Sequence, residues 1–84
     1  MKFFVYILYS NSLNKYYIGQ TYDLIARLEK HQDKTTRFTK QAGDWKLVYN
    51  EEYSTRKDAM NREKEIKRIK SKQYIQNLIL QNER

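Results

Sequence analysis

The sequence predicts an α+β fold: a small three-stranded antiparallel sheet flanked by helices, in the order ββαβαα. Three observations lead there. The run FFVYILY, Phe3 to Tyr9, is β-rich and almost continuously apolar. A turn-like SNSLNK and a second β-rich run follow it directly, which is the pattern of a hairpin. Three further segments repeat apolar residues every three or four positions, as helices with one buried face do.

Taken in order, Phe3 to Tyr9 suits a central strand covered on both faces, because it does not alternate with polar residues. Ser10 to Lys15 has turn composition. Tyr16 to Gln20 forms the second strand. Asp23 starts a helix that runs to about Gln32, with Thr21 as a second candidate cap. The segment DKTTRFTKQAGD has no clear period and reads as a loop. It is long for so small a domain, and loops of that length are often functional. Trp45 to Tyr53 alternates imperfectly but is β-rich, which makes it the third strand. Ser54 or Thr55 caps a helix from Arg56 to about Lys70, and Ser71 caps a last helix to about Asn82.

With 84 residues the chain is expected to form one domain, residues 1–84, with a modest core. It has no cysteine and no proline. Small secreted domains commonly rely on disulfides, so a cytoplasmic, nucleoid-associated protein is expected. The N-terminal apolar run is too short to span a membrane and lacks the small-residue cleavage site of a signal peptide. A net charge of +7 points to a polyanionic partner, most often nucleic acid.

Polar residues interrupt the apolar helix faces at telling positions. In the first helix Leu24 and Leu28 define the inward side, and Arg27 and His31 fall on it. In the second helix Ala59, Ile66 and Ile69 form the stripe, with Met60 at its edge and Glu63 inside it. A carboxylate on a buried stripe costs several kcal/mol unless a cation balances it. Glu63 therefore reads two ways: a structural ion pair, or a metal or active-site ligand. Arg62 and Lys70 also lie near that stripe. The last helix turns Tyr74, Ile75, Leu78 and Ile79 inward, and Asn82 continues the line. The chain holds no cysteine and one histidine, which excludes a zinc site of standard type. No phosphate-cradling glycine motif occurs.

The segments FVYILYS, Phe4 to Ser10, and YYIGQTYDLIARLEKH, Tyr16 to His31, resemble the GIY-YIG nuclease domain, and AMNREKEIK, Ala59 to Lys67, continues the pattern. The similarity extends over nearly the whole chain. It is greatest to the small stand-alone bacterial members, and the incision domain of the excision-repair nuclease is a more distant relative. The first motif is Phe4-Val5-Tyr6, with Phe4 where the family has glycine; the second is Tyr17-Ile18-Gly19. The resemblance implies a metal-dependent endonuclease acting on DNA, selective for structure rather than sequence, in repair or recombination. It implies that Glu63 holds one divalent ion, Mg²⁺ or Mn²⁺, and that Arg27 contacts the scissile phosphate. Tyr6 and Tyr17 would orient or deprotonate the attacking water and position the phosphate, with Arg27 and the metal lowering the phenol pKa. His31 would assist proton transfer. Gly19 and Asn82 would be supporting positions.

Lys34, Arg37, Lys40, Lys67 and Lys70 are candidate phosphate contacts, with Lys46, Lys64, Arg68 and Lys72 beside them. Two other expectations stand against the enzyme reading. One is a nucleic-acid-binding module with the same fold and little catalysis. The other is a nuclease that needs a protein partner.

Overall fold

The computed structural model describes residues 1–32 and 43–82, with side chains for 1–29 and 43–81. The order of elements is β1 (Phe3–Ser10), β2 (Lys15–Thr21), α1 (Leu24–Gln32), β3 (Trp45–Tyr53), α2 (Arg56–Ile69) and α3 (Lys72–Asn82). The three strands form one antiparallel sheet in the order β2-β1-β3. The predicted architecture is thus observed. Most of the predicted long loop, residues 33–42, lies outside the described residues.

The apolar run of β1 is explained by its central place. Val5, Tyr6, Ile7 and Leu8 are all buried, and successive side chains enter different cores. Val5 and Ile7 join Ala59, Ile66 and Ile75 on the face covered by α2 and α3. Tyr6 and Leu8 join Trp45 on the other face, where Leu24 and Leu28 of α1 pack.

The imperfect alternation of β3 has a local cause. Its register against β1 shifts between Ile7, opposite Tyr49, and Leu8, opposite Leu47. The bulge places one extra residue, Val48, and reverses the parity of the strand. Trp45 and Leu47 therefore pack toward α1, whereas Tyr49 and Tyr53 pack toward α2 and α3.

The termini of the elements follow their side chains. Asp23 caps α1: its Oδ1 accepts from the Ala26 amide at 3.1 Å. Thr55 caps α2, accepting from the Asp58 amide at 3.2 Å. That helix ends one residue earlier than expected, because Lys70 adopts the left-handed conformation (φ 52°) as its C-cap. Ser71 then caps α3, accepting from the Tyr74 amide at 3.2 Å. At the other end of the sheet, Asp44 accepts from Ser10 Oγ at 2.6 Å and from the Ser12 amide at 2.8 Å. These bonds fasten the β1–β2 turn to the start of β3 and hold the Asp44 carboxyl below the usual carboxylate range.

The helix stripes are narrower than the sequence suggests. Met60 and Ile69 are exposed, and only Ala59 and Ile66 of α2 are buried. Two charged side chains of α2, Arg62 and Glu63, are enclosed to the same degree, at 19 % and 20 % exposure. Arg62 makes a two-pronged ion pair with Glu51 of β3, through Nε at 2.9 Å and Nη2 at 3.0 Å. Tyr53 donates to the same carboxylate at 2.5 Å, Tyr49 also donates to it, and Arg62 donates to Tyr74 at 3.0 Å. Burial pushes the Glu51 carboxyl up, but the hydrogen bonds from Arg62, Tyr49 and Tyr53 outweigh it and hold the group ionised. Glu63 makes an ion pair of its own, with Lys67 at 2.6 Å.

Candidate active site

The site is built where β1, β2 and α1 meet. Tyr6 on β1 stands opposite Gly19 on the edge strand β2. Gly19 has no positive φ, so it is not there for backbone freedom. Its reason is space. A Cβ at position 19 would lie 2.5 Å from Tyr6 Oη and 2.7 Å from Cζ. The glycine of the second motif is the seat over which the Tyr6 phenol lies.

Arg27 comes to that phenol from α1. The Asp23 cap sets the first turn of the helix, and the Arg27 amide bonds to the Asp23 carbonyl at 3.1 Å. One turn into α1, Arg27 Nε donates to Tyr6 Oη at 3.2 Å. The Tyr17 ring lies 6.3 Å from the Tyr6 ring, centroid to centroid, and tilted by 33°. Arg27 also senses Tyr17 by hydrogen bonding and by charge. The Tyr6 bond, stronger than the effect of burial, keeps the guanidinium protonated. For Tyr6 the balance of causes is reversed, and burial dominates. Burial raises its pKa to about 12, outweighing the lowering by Arg27, and the charges of Tyr17 and Glu63 add to the rise. The expectation that Arg27 would lower the phenol pKa holds for its sign alone; removal from water is the larger effect. Tyr6 is a neutral hydrogen-bonding phenol at pH 7.

Glu63 belongs to the α2 layer, yet its charge is felt at Tyr6. Its carboxylate accepts from Lys67 Nζ at 2.6 Å, and its side chain is 20 % exposed. No group of three or more His, Cys, Asp and Glu is found among the described residues. A single carboxylate, partly enclosed and paired with a lysine, does not suit a tight, all-protein metal cage. It does suit Mg²⁺ or Mn²⁺ held mainly by waters and a substrate phosphate.

A shallow cavity of about 240 Å³ opens beside Arg27, lined also by Gln20, Thr21, Tyr22 and Arg56. Arg56, the first residue of α2, lies 5.5 Å from the Phe3 ring centre, where a cation–π contact steadies it. Sequence reasoning missed Arg56 as a site residue. Its helix-start position gave no sign that α2 would bring it to the cleft flanked by Arg27.

The other expected residues divide. Tyr6, Tyr17, Gly19 and Arg27 are brought together, with Glu63 near enough to act on Tyr6. The side chains of His31 and Asn82, and all of Lys34, Arg37 and Lys40, lie outside the described residues. Lys67 and Lys70 line a separate groove with Lys72. Lys64 and Arg68 line an exposed stretch of α2, and Lys46 is exposed on β3. No helix among the described residues is long and apolar enough to cross a membrane.

Known proteins resemble this chain over most of its length. A family profile described as the GIY-YIG catalytic domain matches residues 2–76. A UPF0213 protein from Staphylococcus epidermidis is 39% identical over 75 residues, covering 88% of this chain and 90% of the relative. The UPF0213 protein YazA of Bacillus subtilis is 36% identical over 67 residues, 75% of this chain and 68% of its own. The solution NMR structure of the UPF0213 protein BH0048 from Bacillus halodurans superposes with a TM-score of 0.58 at 30% identity. That match covers 94% of this chain and 83% of the other.

Proposed function

The chain belongs to the GIY-YIG catalytic-domain family, and from that premise we propose that it is a metal-dependent endonuclease. It hydrolyses phosphodiester bonds in DNA and selects by structure rather than by sequence, in repair or recombination. The reading is supported chiefly by one observation: Arg27 lines an open cleft while its Nε donates at 3.2 Å to the buried Tyr6 phenol, which packs beside Tyr17. A cation held at a cleft by a buried phenol suits a phosphodiester whose charge grows in the transition state.

The roles follow from the chemistry of each group. Arg27 remains protonated and binds a non-bridging phosphate oxygen, so that developing negative charge is met by a donor already in place. Tyr6, neutral, buried and fixed over Gly19, accepts from Arg27 Nε and so orients the guanidinium toward the phosphate. Tyr17 stands beside it and orients the attacking water. Arg56 supplies a second cation on the far side of the cleft. Glu63 would hold the divalent ion, which when bound supplies Lewis-acid stabilisation of the phosphate and leaving oxygen.

The test uses purified protein with duplex, branched and single-stranded DNA in the presence of Mg²⁺ or Mn²⁺. Cleavage is expected, and Glu63→Ala is expected to lose it while still binding DNA. Binding with no metal-dependent cutting, unchanged by Glu63→Ala, would sink the enzyme reading and leave a binding module.

A further inference from the structure

A second concave surface lies on the face of the sheet away from Tyr6 and Arg27. Strand β2 alternates, so Tyr17 packs with Tyr6, while Tyr16 and Ile18 pack with the core under α2 and α3. Between β2, the end of α2 and the start of α3 is a groove of about 310 Å³. Its floor is Tyr16, Ile18, Ile66 and Ile75, and its rim is Lys15, Lys67, Lys70, Ser71 and Lys72. The backbone concentrates this charge. Lys70 turns the chain in the left-handed region between the two helices, which sets Lys67, Lys70 and Lys72 around one opening. Lys72 Nζ is tied to the Asn14 carbonyl at 3.2 Å, and the Tyr16 ring is held 4.9 Å from that of Tyr9.

We propose that this groove binds a single-stranded segment of nucleic acid, with a base on the apolar floor beside Tyr16 and the flanking phosphates on the lysines. Four lysines around an apolar floor complement a chain of anions that carries flat rings, and an unpaired strand offers both. A duplex keeps its bases stacked inside and cannot use the floor. The groove shares the edge strand β2 with the candidate active site, and its rim residue Lys67 is ion-paired with Glu63 at 2.6 Å. A strand passing over that edge meets both surfaces, which would direct cutting to junctions of paired and unpaired DNA. The proposal rests on the nucleic-acid part of the functional reading but not on catalysis.

The experiment is fluorescence anisotropy in EDTA with a labelled oligothymidine and a duplex of equal length. Lys70→Gln with Lys72→Gln is compared with Lys2→Gln with Lys57→Gln, which removes equal charge away from the groove. The groove pair is expected to lose about tenfold or more in oligothymidine affinity, several times the loss of the control pair, and less on duplex. An oligonucleotide carrying 5-iodouracil is expected to photocrosslink at Tyr16. Equal losses in both pairs, equal losses on duplex, or a crosslink confined to residues outside the groove overturn the proposal. Competition by polyglutamate or anionic vesicles as strong as by oligothymidine also overturns it. If the unaltered protein binds neither oligonucleotide, the nucleic-acid reading itself fails. If Lys70→Gln with Lys72→Gln binds normally and circular dichroism shows it folded, the groove alone fails.

Discussion

A methyl group added at position 19 would fall 2.5 Å from the Tyr6 hydroxyl, a separation that neither backbone nor ring accommodates in place. Gly19→Ala is therefore expected to destabilise the fold by about 1–3 kcal/mol, the usual cost of overpacking. It is also expected to displace the phenol from Arg27. Urea denaturation measures the first effect, and loss of cleavage with DNA binding retained reports the second. Arg27→Lys keeps the charge but loses the Nε contact, and it is expected to lower cleavage about tenfold or more. A rate equal to that of the unaltered protein would show that charge alone suffices. The phenols make a third prediction. Tyr6, Tyr49 and Tyr53 have pKa values raised by burial from 10.0 to about 12. Below pH 10 these groups are protonated in both folded and unfolded chains. As pH rises from 10 toward 12 the unfolded chain releases protons that the folded one keeps, so stability falls across that window. Absorbance at 295 nm should show part of the tyrosine signal titrating late and together with unfolding.

Between β3 and α2 the decisive contact is the Glu51–Arg62 pair with its three tyrosines. Both side chains are nearly enclosed, at 18 % and 19 % exposure. Removing one partner of such a pair leaves a charge without balance, so Glu51→Gln is expected to cost about 3 kcal/mol, the lower end for buried pairs. Thermal melts of Glu51→Gln and of Glu51→Leu with Arg62→Met check this, the double variant being expected to recover most of the loss. The pair also fixes how α2 lies on the sheet. With Arg62 turned to the core, the next residue, Glu63, is directed away from that network to where it pairs with Lys67 and is felt at Tyr6. The bulge at Val48 serves the same arrangement. It lets Trp45 and Leu47 support the Tyr6 face while Tyr49, Glu51 and Tyr53 hold α2.

Across the molecule, the net charge of +7 sets how any polyanion is met. Nucleic-acid affinity is expected to fall at least about tenfold between 50 and 200 mM salt, as counterion release requires for several phosphate contacts. A flat salt dependence would argue for binding through the apolar groove floor alone. Divalent metal is not expected to support the fold, because Glu63 is its one protein ligand in the proposal and its charge is already balanced by Lys67. Chelation should abolish cleavage and leave the melting temperature unchanged within about 2 °C. A large drop would reveal a structural metal instead.

Much of this architecture was legible in the chain itself. The unbroken apolar run of β1 marks a strand covered on both sides, and Asp23, Thr55 and Ser71 mark the starts of three helices. These signals are local: burial period and capping chemistry act over a few residues. The family was legible too, through the resemblance of the segments that carry Tyr6, Tyr17, Arg27 and Glu63 to the GIY-YIG domain. What could not be read there depends on partners far apart in sequence. That Arg62 pairs with Glu51 was settled by the approach of β3 to α2, whereas Glu63 pairs with Lys67 within its own helix. The pKa of the Tyr6 phenol is raised by its burial, which no local sequence signal marks. Gly19 is needed because a tyrosine 13 positions earlier crosses over it, a contact created by β1–β2 pairing. Arg56 and the lysine-rimmed groove exist only once α2 and α3 lie on the sheet. Helix and strand signals travel along the chain, whereas electrostatic environment and cavity shape are properties of its packing.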